Sequence, residues 1–287
     1  MTTVPDDNAA SRPGERAAQP EAAGTGPLTP PLPATEADRL RPVTVAFVVV
    51  GAAAVLVASL AGSGAVLGVT LVLVLLLAFG WPELAGSYTP GATSVILALS
   101  GVVIVLTALR DDLRWVAAAV ALGIVLSFFG QLVRRTGREG LVLTLLASFG
   151  GLVLIASGAT AVPLGDDASG AAVLAAAMAG VVGGLAADLL APAARARPGG
   201  SAALAAAALV GGGLVALAAA LVLDTPADGL ATAVAVGVGA LSGIVSWGLR
   251  RVLSLQPAMV EARGQLAAGV GSVLAVGAIA AVVAAAT

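Results

Sequence analysis

Residues 43–81 read VTVAFVVVGAAAVLVASLAGSGAVLGVTLVLVLLLAFGW, with no charged residue and only Gly62-Ser63-Gly64 breaking the apolar run. A helix crossing about 30 Å of hydrocarbon needs about 20 apolar residues. A single helix of these 39 residues overshoots the bilayer, whereas a hairpin turning at Gly-Ser-Gly gives two helices of spanning length. Apolar residues occur on every face, without a period of two, so the stretch reads as helix rather than as barrel strand.

The same pattern recurs along the chain. After Val43–Ala61 and Ala65–Trp81, the sequence predicts spans over Thr93–Leu109, Trp115–Leu132, Leu141–Val162, Ala171–Leu190, Ala202–Leu223, Leu230–Leu249 and Leu266–Ala286. The expected fold class is therefore all-α, a polytopic transmembrane helix bundle of about nine spans over residues 43–287. Composition agrees. Hydrophobic residues make up 59% and charged residues 10%, with a mean hydropathy of +1.05. Soluble domains carry about a quarter charged residues, so an ordinary soluble enzyme is excluded.

Residues 1–42 differ. They hold eight prolines, six acids and four arginines, with almost no large apolar side chain. Such a segment buries too little apolar surface to offset its ordering entropy, and it is expected to be a disordered tail. Its Gly26–Pro33 stretch has polyproline II character and can be read by a partner, although a solvated tether explains the same composition more simply.

Arginine sets the expected orientation. Arg134, Arg135 and Arg138 follow the fourth span, Arg195 and Arg197 the sixth, and Arg250, Arg251 and Arg263 the eighth. The alternate loops carry Asp166, Asp167, Asp224 and Asp228, leaving only Arg110 and Arg114 of the 14 arginines on that side. Positive charge stays inside, which predicts a cytoplasmic N-terminus and an extracytoplasmic C-terminus. Abundant Ala, Gly, Val and Arg without Lys suits a GC-rich coding sequence, and the expected location is a bacterial plasma membrane. Trp81, Trp115 and Trp247 lie at or near span ends, where interfacial rings are expected.

Absent residue types restrict the chemistry. The chain has no Cys, His or Lys. That removes thiol and Ser–His nucleophiles, His/Cys zinc sites, Schiff bases and the lysine of a phosphate-binding loop. Paired acids Asp111-Asp112 and Asp166-Asp167 read as solvated outer-loop charge. Leu164-Gly165-Asp166 has the Gly-Asp of membrane aspartyl proteases but lacks a second Asp in a facing span. No catalytic residue, cofactor, metal or nucleic-acid partner is expected, and the chain is read as not an enzyme.

Small residues give the expected helix contacts. Gly180-x-x-x-Gly184 and Gly239-x-x-x-Gly243 have close-packing spacing, with Ala207 and Gly211 a related pair. Thr144, Ser148, Gly151 and Gly158 form one stripe, and Gly123, Ser127 and Gln131 another. Residues 168–184 also align with 227–243, matching at Gly180/Gly239 and Gly184/Gly243. Span centres hold no charge. Asp188 sits near the inner end of the sixth span, where it is expected to snorkel or to pair with Arg195 or Arg197.

Ser127, Gln131, Arg134 and Asp188 are the candidate lining of a polar pathway. Residues 250–265 form the longest inner loop and are expected to make a short surface helix; that loop or the tail is the expected site for a protein partner. These features favour a permease-like component for a neutral or anionic solute, since mid-span carboxylates for ion coupling are missing. A non-catalytic membrane scaffold is the alternative, and a lipid-modifying enzyme a more remote third.

Overall fold

In hydrocarbon a chain must satisfy its own backbone N–H and C=O groups, so each apolar run closes into a helix. The computed structural model describes residues 30–110, 113–133, 140–194, 199–224 and 230–287. Among these there are helices and no strands, and nine helical segments are long and apolar enough to cross a membrane. The short α1 (Ala34–Ala37) precedes α2 (Pro42–Ser59), α3 (Ser63–Leu84), α4 (Pro90–Thr107), α5 (Arg114–Leu132) and α6 (Leu141–Ala159). The sixth span is divided into α7 (Ala168–Gly183) and α8 (Leu185–Ala194). Two continuous spans follow, α9 (Gly200–Val222) and α10 (Thr232–Leu253), and the ninth is again divided, into α11 (Ala262–Leu274) and α12 (Gly277–Ala284).

The predicted first hairpin is present. Gly62 turns the chain at φ 106°, a backbone angle that glycine adopts without strain, and α3 begins at the next residue. Alternating spans then place residues 30–41 at the same end of the bundle as the α3–α4, α8–α9 and α10–α11 connections. Among the described residues this end carries Arg39, Arg41, Arg250, Arg251 and Arg263, and the opposite end Arg110 and Arg114.

The bundle consists of two groups of helices with two spans between them. Helices α3–α6 pack on one another, as do α7–α10. Packing between the groups runs through α2 and the divided ninth span, which touches α2, α3, α6, α7 and α10. In the first group the core is built from large side chains, among them Leu77, Leu97, Ile104, Leu152 and Ile155. In the second the backbones themselves meet. A Cβ placed on Gly180 lies 2.2 Å from the Gly239 carbonyl oxygen, one on Gly184 2.6 Å from that of Gly243, and one on Gly212 2.4 Å from that of Gly239. The two glycine pairs seen in the sequence are thus one contact between parallel spans, with α9 laid antiparallel across it. Gly211 of the expected Ala207/Gly211 pair likewise faces the Gly183 carbonyl.

Each division of a span has identifiable partners. Around Ala275 and Val276 the Ser157 hydroxyl of α6 donates to the Ala275 carbonyl at 2.9 Å and accepts from the Ala278 N–H at 3.0 Å, which satisfies groups the break would orphan. The sixth span breaks at Gly183-Gly184, whose lack of side chains admits the α9 and α10 backbones. At its N-terminal end Asp167 caps α7, its carboxylate accepting from the Gly170 N–H and the Ser169 hydroxyl, both at 2.7 Å.

Three expectations are corrected. The tail does not extend to residue 42 as an unstructured segment. Residues 1–29 lie outside the described residues, and 30–41 pack on the bundle, with the Leu32 N–H donating to the Leu255 carbonyl at 2.8 Å. Residues 250–265 are not a separate surface helix, because α10 runs through Leu253 and α11 starts at Ala262, with a 3-10 turn over Pro257–Val260 between them. Trp81 is not interfacial. It is buried, and its indole N–H donates to the Ala147 carbonyl at 2.8 Å. Asp111, Asp112 and Asp228 lie outside the described residues, whereas Trp115 is half-exposed between Arg110 and Arg114, as an interfacial ring is.

Two outcomes test this packing. Gly180→Val and Gly239→Val each force two backbones apart and should lower stability by about 1–3 kcal/mol. Gly237→Ala, on an open face of α10, should be neutral or stabilising by up to about 1 kcal/mol. Heat-induced loss of the monodisperse peak in size-exclusion chromatography measures both. Hydrogen bonding from Gly170 and then Ser169 holds the Asp167 carboxyl below its ordinary range. Its contribution is therefore complete above the ordinary carboxylate pKa and disappears as pH falls through the lower folded value. Asp167→Ala should cost about 1 kcal/mol at neutral pH, and Asp167→Asn should abolish this part of the acid dependence in the same assay.

Candidate functional site

Arg250 lies one turn from the end of α10 and counts in the sequence as a loop residue. In a helix the Cα–Cβ bond tilts toward the N-terminus. Because α10 runs toward the arginine-rich end, that tilt aims the Arg250 side chain back into the bundle. Its Nη1 donates to the Ser246 hydroxyl one turn earlier at 2.6 Å and to the Ser272 hydroxyl of α11 at 3.3 Å. The Ser272 hydroxyl in turn donates to the Gly269 carbonyl at 2.8 Å. On the α8 side, Nε and Nη2 lie 2.8 and 2.7 Å from Asp188 Oδ2. The Arg250 side chain is 3% exposed and that of Asp188 25%. The group is a charged pair between three spans, desolvated on the arginine side and wetted on the carboxylate side.

A cleft opens above this pair at the arginine-rich end, with a cavity volume of about 50 Å³, room for a few waters or one small oxyanion. Its charged lining is Asp38, Arg39, Arg41, Asp188, Arg250 and Arg251, and Leu204 and Trp247 border it on the α9–α10 side. Residues 37–41 form one wall. Asp38 is ion-paired with Arg251. Arg41 donates to the Met259 carbonyl and, at 3.3 and 3.4 Å, approaches the carbonyls of Glu36 and Ser254. Burial pushes the Arg41 guanidinium down from its ordinary value, with the nearby Glu36 charge opposing. It remains a cation at any physiological pH.

Of the residues expected to form a polar pathway, only Asp188 is here. Its partner is Arg250; Arg195 and Arg197 lie outside the described residues. Ser127 and Gln131 are buried on α5, which packs on α4 and α6, away from α8. The Ser127 hydroxyl donates to its own helix at the Gly123 carbonyl, 2.9 Å away, and Gly123 meets Leu152 and Ser100. Gly123 and Ser127 are thus used in packing, whereas the buried Gln131 Oε1 has no hydrogen-bond partner. Arg134 lies outside the described residues. The stripe of α6 is used in packing too: Thr144 accepts from the Tyr88 N–H, Gly151 faces Leu97 and Trp81, and Gly158 faces Leu274.

A second charged contact, Arg263 with Glu83, stands apart at the same end, where Arg263 also donates to the Phe79 carbonyl at 2.8 Å and stacks 4.0 Å from its ring centroid. Glu83 is therefore an anchor between α3 and α11. The sequence reading missed Asp38, Arg41, Arg250 and Arg251 as site residues. The signal available for Arg250 was Ser246 four residues earlier, a polar residue on the same helical face as the arginine.

Removing one member of a buried pair strands the other. Asp188→Ala or Arg250→Ala should each cost about 3–5 kcal/mol, whereas Asp188→Leu with Arg250→Met should recover most of the loss. The double-mutant cycle is measured by thermal challenge followed by size-exclusion chromatography.

No family model, curated protein or solved structure matches this chain, so the roles of these residues are argued from their geometry.

Proposed function

We propose that this multi-pass membrane protein is a permease-like transport component for a small anionic or neutral solute. In this reading it lies in a bacterial plasma membrane with its arginine-rich end cytoplasmic. The observation that carries the proposal is Arg250. A charge inside a span is costly and is kept where a bundle handles polar cargo. This one sits beneath a cleft open at one end, beside a span divided at Gly184. With Arg250 paired to Asp188, the excess of arginine over aspartate in the cleft lining favours an anion over a cation, and the cleft is the cytoplasmic mouth. Discontinuous spans supply hinges and free backbone groups near binding sites in carriers. Here both divided spans border the junction between helix groups α3–α6 and α7–α10, so tilting one group on the other about the ninth span opens the path in turn to each side. The reading assigns no catalytic residue.

The alternative, a non-transporting scaffold, draws support from the backbone contacts among α7, α9 and α10, which leave no space for a solute at that depth. One experiment separates the two. The chain has no native cysteine, so single variants report cleanly. Ser246→Cys lies beside Arg250. Ser242→Cys lies one turn deeper, at a buried hydroxyl that has no hydrogen-bond partner. In a carrier, a membrane-impermeant methanethiosulfonate reagent should modify both, from inverted vesicles at least, at rates above those of lipid-facing Leu241→Cys. If neither reacts from either side, the interior stays dry and the scaffold reading replaces the carrier.

A further inference from the structure

We propose that the cleft is a binding site for a small carboxylate-bearing solute and that the chain's own Asp38 is its resident, displaceable occupant. The inference deepens the anionic-solute reading above and rests on it for biological meaning, but it makes a separate claim about binding.

The charge balance of the cleft comes first. Four arginines line it against two aspartates, an excess that attracts an anion into a partly desolvated space. The two aspartates are held differently. Asp188 belongs to a membrane span and is engaged by Arg250 from within the bundle. Asp38 belongs to the strap of residues 30–41, outside every span. The strap's only helix, α1, has four residues, too few to be stable without tertiary contacts. Its hold on the bundle includes the Leu32–Leu255 hydrogen bond, burial of Ala37 and Asp38, the Arg41 bonds and the Asp38–Arg251 pair.

Arg41 supplies the second argument. Its hydrogen bonds go to carbonyl oxygens, and its Nε is buried without a partner. A guanidinium presents a planar fork that a carboxylate fills with two bonds, and dipolar carbonyls are weaker substitutes for that charge. Arg41 and Arg251 line the same cleft. An incoming carboxylate takes Arg251 from Asp38 and offers Arg41 a carboxylate to hydrogen-bond in place of carbonyls. The space of about 50 Å³ restricts the ligand to a small acid, and the Leu204 and Trp247 border accommodates a short apolar remainder.

The competition makes the site measurable. An internal occupant engaged nine times in ten lowers the apparent affinity for an external ligand about tenfold. The test uses the full chain in nanodiscs, with melting temperature followed as acetate replaces chloride at constant ionic strength. Stabilisation should saturate with acetate, at a concentration about tenfold lower in Asp38→Asn and Asp38→Ala than in the wild type, while Asp38→Glu stays close to wild type. Adding Arg41→Gln to Asp38→Asn should remove the effect. Three results overturn the inference: no acetate dependence in either Asp38 variant, an unchanged response after loss of Arg41, or stabilisation by inorganic phosphate and not by acetate. Because no flux is measured, failure here leaves the carrier reading to its own test, and binding without flux leaves the site standing as a regulatory one.

Discussion

The contact of Gly180 and Gly184 with Gly239 and Gly243 determines the arrangement of this bundle's charged end. Lipid tails are as apolar as leucine, so helices in a membrane gain little by hiding hydrophobic side chains from lipid and associate where their backbones approach closely. Parallel spans joined at Gly184 and Gly243 are locked in axial register. Asp188 lies four residues beyond the first glycine, and Trp247 four beyond the second. Arg250 lies three residues further, a little under one turn. The backward lean of its side chain along α10 makes up that difference. The ion pair at 2.7–2.8 Å is thus a consequence of glycine packing one to two turns deeper.

The same constraint accounts for the divided spans. Close approach of three backbones around Gly183 and Gly184 leaves no room for side chains there, and the consecutive glycines that permit it also weaken the helix. The ninth span has no such glycine pair at its break. It instead borrows the Ser157 hydroxyl, which takes the place of missing intrahelical partners on both sides of the gap. Both breaks thus lie at close backbone approaches, since a Cβ on Gly277 would meet the Ser157 carbonyl oxygen at 2.1 Å, and the ninth span adds a hydrogen-bonding hydroxyl from its neighbour.

The nine spans and the hairpin at Gly62 were legible because burial in lipid imposes length and uniform hydropathy, properties that a local window contains. The glycine motifs were legible as surfaces but not as partners, since spacing says that a helix packs closely without naming what it packs against. The charged site was hidden for a geometric reason. Hydropathy ends a span at its first charge, so the eighth was expected to stop at Leu249, and Arg250 counted toward the loop. The helix continues to Leu253 because a guanidinium on a long stem can stay inside when hydroxyls and a carboxylate receive it. Trp81 misled in the opposite way. A tryptophan at a span end is interfacial when its N–H meets water, and here the Ala147 carbonyl takes that place. Ser127 looked like a pathway residue, yet its hydroxyl donates its only proton to the Gly123 carbonyl of its own helix.

Two kinds of order meet at the arginine-rich end, and their difference bears on function. The spans are held by contacts that hydrocarbon makes expensive to break, because every exposed backbone group there goes unsatisfied. The strap over residues 30–41 lies at the bundle's end, where water can replace each lost hydrogen bond and screen each separated charge. Any movement of modest cost in this region therefore belongs to the strap before it belongs to the helices. The strap carries the carboxylate that neutralises Arg251, while the bundle beneath keeps Arg250 neutralised permanently by Asp188. Lifting the strap consequently exposes unpaired positive charge without creating a stranded charge in the membrane interior. For the anion site proposed above, this makes the strap the moving part and the Arg250–Asp188 pair the fixed floor.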